Sequence, residues 1–170
     1  MSGRHIAIAI ALVVVAVVVQ STLLAESRLQ LFGSAPALVV LVLIAVVRYL
    51  DPEPAVLLGF TAGLLVDLVG GQPVGLWAMV MTVVAYVTLR VRDRAADGPL
   101  VIGVGVLVLT LMAGGLFVIL GTLFGLKPLS DPAVFRRLIL PAIYNVVLAI
   151  GVVPGVTKLL EQRRPRRGWA

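Results

Sequence analysis

The chain has 170 residues, 61% of them hydrophobic and 13% charged, with a formal net charge of +6 and no cysteine. Soluble domains run at about 45–50% apolar and about 25% charged, so this composition belongs to a protein whose solvent is largely lipid. Without cysteine there is no disulfide, thiolate nucleophile or cysteine zinc site, and with no aromatic residue but Trp169 beside the arginines of the tail, the positive charge reads as topology, not nucleic-acid binding.

Apolar runs occupy residues 5–24, 36–50, 54–69, 74–89, 100–126 and 138–160. A helix crosses the hydrocarbon with roughly 17 to 25 apolar residues, and lipid leaves the backbone no partner except itself, so the runs predict an all-α integral membrane protein with six transmembrane helices. The first run follows Arg4 and ends in Leu23-Leu24-Ala25 without the small-residue pair of a cleavage site, which makes it a span and not a leader. A polar stretch, 26–34, leads to Pro36, which suits the opening turn of the second helix because it needs no amide donor there. Asp51-Pro52-Glu53-Pro54 ends that helix in a tight turn, since two prolines and two carboxylates cannot sit inside a lipid-facing helix.

Gly70-Gly71-Gln72-Pro73 punctuates the third and fourth runs. Both are short for a full crossing, so either they extend into their turns or the glycine-rich turn enters the protein interior under cover of other helices. Arg90, Arg92, Asp93, Arg94 and Asp97 form the next gap. The fifth run is long enough to tilt, and the sixth carries Pro141 and Pro154 near its ends. The longest connection, 126–137, is too short for a soluble domain, so one six-helix membrane domain is expected over 1–162 with a basic cytoplasmic tail over 163–170.

Six spans put both termini on one side. With that side cytoplasmic, ten basic residues lie inside (Arg4, Arg48, Arg90, Arg92, Arg94, Lys158, Arg163, Arg164, Arg166, Arg167) and four outside (Arg28, Lys127, Arg136, Arg137). The positive-inside bias selects this orientation, and the tail meets anionic headgroups.

Asp67 is the polar residue of greatest interest, because an ionisable group in a membrane helix is costly unless paired, hydrated or useful. Gly59, Gly63 and Asp67 recur every four residues and so share one stripe that advances about 40° per step. Small side chains let a neighbouring helix approach closely. The carboxylate at the outer end of the stripe either ties down its own Gly70-Gly71 turn or serves a partner. Gly121 with Gly125, and Gly151 with Gly155, read as internal packing. Gln20, Ser21 and Thr22 close the first helix, and Asn145 lies within the sixth; interhelical hydrogen bonds or the water interface account for them. Tyr49, Tyr86, Trp77 and Trp169 fall near span ends, as interfacial aromatics do. No carboxylate pair, nucleophile with base or ligand set can be assembled, so neither an enzyme nor a cofactor or metal site is expected.

The stretch Leu58-Gly59-Phe60-Thr61-Ala62-Gly63-Leu64-Leu65-Val66-Asp67-Leu68-Val69-Gly70-Gly71-Gln72-Pro73-Val74-Gly75-Leu76, followed by Ala85-Tyr86, resembles the central signature of the rod-shape-determining protein MreD family. Gln20-Ser21-Thr22, Phe32-Gly33 with Pro36, the chain length and the basic end extend the likeness, which is clear over about the first 90 residues and rests on hydropathy beyond them. The resemblance implies a non-enzymatic scaffold of the bacterial cell-elongation machinery in the plasma membrane. It would bind MreC and work with MreB, RodA and a class-B penicillin-binding protein in peptidoglycan synthesis. It also implies a fold similar to the six-helix substrate-binding subunits of energy-coupling-factor transporters. Carried over residue by residue, Gly59, Gly63, Asp67, Gly71 and Gly75 become the partner-binding positions, with the glycine stripe receiving a partner helix. The alternative is a solute-binding membrane subunit of such a transporter, for which the chain offers Asp67, Gln72, Asn145 and a few hydroxyls.

Overall fold

Each of the six apolar runs becomes a helix, and no strand occurs among the described residues of the computed structural model, 3–22, 37–71, 73–92, 98–126 and 132–161. The helices are α1 (Gly3–Thr22), α2 (Leu38–Val47), α3 (Pro52–Gly70), α4 (Leu76–Arg92), α5 (Pro99–Leu123) and α6 (Val134–Glu161). By length and composition α1, α3, α5 and α6 suffice to cross a membrane, while α2 is an apolar helix of only 10 residues. Phe32-Gly33, Pro36, Asp93, Arg94, Asp97 and the basic tail lie outside the described residues.

The shortest helix is the centre of the bundle. Every residue of α2 from Val39 to Val47 is buried, and a helix that is apolar on all sides needs cover on all sides. It touches each of the other five, which stand around it in the order α1, α3, α4, α5, α6. Between α6 and α1 runs a groove of about 250 Å³, lined by Leu12 and Ala16 of α1, Val42 of α2, and Val152 and Gly155 of α6.

Helix ends leave amides and carbonyls unpaired, and away from water other side chains must meet them. At the start of α2, Gln20 Oε1 accepts from the Val39 amide at 3.0 Å and Asn145 Nδ2 donates to the Ala37 carbonyl at 3.0 Å. At its other end Arg92 Nη1 donates to the Leu50 carbonyl at 2.6 Å and the Val47 carbonyl at 3.5 Å. The Tyr49 hydroxyl, 2.6 Å from Thr157 Oγ1, joins that end to α6. Side chains from α1, α4 and α6 thus close one buried helix. Hydroxyls elsewhere turn back on their own helices: Thr82 to Ala78, Thr88 to Val84 and Thr122 to Val118.

Several sequence expectations shift. Arg90 and Arg92 belong to α4 and not to a gap, and α6 begins at Val134, so Pro141 and Pro154 lie within the helix, away from its ends. The turn after α2 is as tight as Asp51-Pro52-Glu53-Pro54 implied, with Pro52 and Glu53 entering the first turn of α3. Gly151 and Gly155 are not internal packing: both are exposed, and a side chain there would meet nothing.

Candidate functional site

The four-residue spacing of Gly59, Gly63 and Asp67 does place them on one face of α3, and all three are buried. What covers them is α4. A Cβ on Gly59 would stand 2.7 Å from the Met81 carbonyl oxygen and 2.8 Å from Ala85 Cβ. On Gly63 it would collide with the Trp77 carbonyl and lie 2.5 Å from Ala78 Cα. The two backbones are in contact along this stripe, the close approach that small residues permit. The expectation of a groove free to receive a partner helix is therefore corrected: the short connection from Gly71 to Gly75 returns the chain antiparallel onto α3, and the seat is filled from within.

Asp67 locks this hairpin. Only 1% exposed, it accepts at Oδ2 from the Gly75 amide (2.9 Å) and the Ala78 amide (3.2 Å), and at Oδ1 from the Trp77 amide (3.0 Å). These amides belong to the beginning of α4, where N–H groups lack partners inside the helix and the helix dipole favours a carboxylate. Sequence reasoning placed the donors in Gly70-Gly71 or in another protein; they lie across the turn. Gly71 (φ 66°) and Gly75 (φ 101°) hold left-handed conformations that glycine adopts without strain, and so give the turn its path. Gly71 is exposed and Gly75 half-buried, while Gln72 lies outside the described residues. Around this turn Leu68, Val69 and Val74 are exposed, Val74 to 66%. The Trp77 ring stacks on Phe117 of α5, centroids 4.8 Å apart, and fixes the hairpin to the bundle.

The remaining polar candidates do not converge on this turn. Gln20 caps α2, whereas Ser21 and Thr22 bond to the Val18 carbonyl of their own helix. Asn145 is fully buried and joins Ala37 to Thr110 Oγ1 (3.1 Å), with Oδ1 left without a partner. Because that oxygen already lacks a bond, Asn145→Leu is expected to lower stability by only about 1 kcal/mol in detergent thermal unfolding. A larger drop would mean that the two amide hydrogen bonds hold α2 in place. Arg92 and Tyr49, read from sequence only as a topology and an interface residue, prove structural, Tyr49 through a bond to Thr157 that the sequence does not announce. The signal for Arg92 was its place just past the end of the fourth apolar run, which puts a long cation within reach of a neighbouring helix end. Among the described residues no three His, Cys, Asp or Glu side chains gather to hold a metal.

Apolar helices packed around a buried central one, with polar side chains spent on helix ends, define a helical membrane protein. Residues 3–163 match the family model described as rod shape-determining protein MreD. The chain belongs to this family, and the match carries the likeness through α5 and α6, beyond the stretch where motifs alone showed it. No curated protein and no solved structure matches it.

Proposed function

We propose that this protein is a non-enzymatic scaffold of the bacterial cell-elongation machinery that binds MreC and, with MreB, RodA and a class-B penicillin-binding protein, supports cell shape and peptidoglycan synthesis. The observation that carries this reading is membership of a rod-shape-determining family over nearly the whole chain. The protein sits in the plasma membrane with both termini cytoplasmic, as the ten-to-four bias of basic residues favours.

Internal use of the glycine stripe changes how the predicted partner-binding residues act. Gly59, Gly63 and Asp67 work at one remove: they weld α3 to α4 and hold the outer turn in one shape. Gly71 and Gly75 form that turn, and the apolar side chains of Leu68, Val69 and Val74 around it are the surface offered to MreC. Exposed apolar residues are ordinary on helices that face lipid, so what singles this cluster out is its place on a turn held in one shape by Asp67. Val74→Asp is expected to cut MreC co-purification about thirtyfold, the effect of losing an interface residue worth ~2 kcal/mol, with thermal unfolding unchanged. Full recovery of MreC with this variant would remove the turn from the interface. The family match favours this reading over the solute-binding one.

A further inference from the structure

Clefts open on both sides of the first half of α5, while Val106 and Leu109 keep it joined to the core. Gly105 faces open space, and a Cβ on Gly103 would only touch Val146 at 4.0 Å. On the side toward α2 and α4 lies a cavity of about 380 Å³, walled by Ile44, Ala45, Val91, Ile102 and Leu109. Arg48 and Arg92 line it at the ends of α2 and α4, with Thr88 one turn away. On the side toward α6 a second cleft of about 760 Å³ is lined by apolar residues and Thr157, with no arginine. Both volumes fall in the range of small-molecule sites, about 300–1,000 Å³.

Acidic groups stand near the first cavity. Arg92 also faces a crevice that holds Glu53 and Arg90, and Asp51 follows three residues after Arg48. Among the described residues the set is three guanidinium groups against two carboxylates, with Asp93, Arg94 and Asp97 of the adjoining gap lying outside them; the charged side chains that line the cavity itself are Arg48 and Arg92. An apolar slot between membrane helices with arginines at one end matches one kind of molecule: a long hydrocarbon chain carrying an anionic head.

We propose that the α2–α4–α5 cavity binds an anionic glycerophospholipid, its acyl chain between Ile44 and Leu109 and its phosphate at Arg48 and Arg92. Guanidinium groups pair with phosphate oxygens through parallel N–H bonds, and basic pockets between membrane helices on the cytoplasmic side suit such headgroups. The second cleft has the slot without the cations, so it takes hydrocarbon with no preference for the head.

The test is retention of lipid by protein extracted from vesicles of equimolar phosphatidylglycerol and phosphatidylcholine, counted by native mass spectrometry. The wild-type chain is expected to keep phosphatidylglycerol in preference to phosphatidylcholine, and Arg48→Gln to lower that preference about fivefold, the effect of one arginine near an anionic head. Gly105→Leu, which fills the first cavity where space is open, is expected to abolish the preference and leave the two lipids retained equally. Gly103→Leu, which fills the second cleft, is expected to lower total retention without lowering the preference. Equal retention of the two lipids by the wild type, or an undiminished preference in both Arg48→Gln and Gly105→Leu, overturns the proposal.

Discussion

Replacing Gly63 by leucine is expected to unfold the α3–α4 hairpin. The first added carbon falls on the Trp77 carbonyl and beside Ala78 Cα, which are backbone atoms of a helix that cannot turn aside as a side chain would. Overpacking costs about 1–3 kcal/mol where neighbours can shift; here the whole of α4 must move, so a loss of at least ~3 kcal/mol is expected. Thermal unfolding in detergent measures it, and a midpoint equal to the wild type would show that α4 does not rest on Gly63. Loss of MreC with this variant would report loss of fold, which is why the interface is tested at Val74 instead.

Asp67→Ala is the second large effect. It leaves the Gly75, Trp77 and Ala78 amides without their acceptor in a buried site. A hydrogen bond to a charged group contributes about 1.5–3 kcal/mol, but the three share one carboxylate and do not add, so about 3 kcal/mol is expected. Asp67→Asn keeps one acceptor oxygen and should recover roughly half of this. Trp77 is itself the reporter, since its amide is one donor and its ring rests on Phe117. In a Trp169→Phe background its emission should shift to the red in Asp67→Ala at temperatures where the wild type is folded. An unshifted spectrum together with an unchanged melting point would deny Asp67 its role as the lock of the turn.

These two residues show where sequence reading succeeds and stops. A spacing of four puts Gly59, Gly63 and Asp67 on one helix face whatever surrounds them, because helix geometry alone sets it. Which helix uses that face is a matter of packing, and an external partner and the next helix of the same chain leave the same pattern of small residues. Asn145 and Gln20 were legible as interhelical donors or acceptors, yet their common target, the start of α2, was not. Arg92 was hidden for the same reason: a basic residue at a span end serves topology in any sequence, and only the neighbouring Val47 and Leu50 carbonyls give it a second task.

What the amino-acid order determined by itself was the solvent, the number and approximate limits of the helices, the proline-marked turn and the family, all properties of local hydropathy and local motif. Tertiary structure alone decided that α2, the shortest helix, is the one buried on every side, that α4 fills the glycine stripe, and that clefts open beside the first half of α5. The physical reason is that lipid drives every apolar helix into the membrane alike, so hydropathy cannot rank them. Close backbone packing and the need to satisfy helix ends away from water choose which helix goes to the centre.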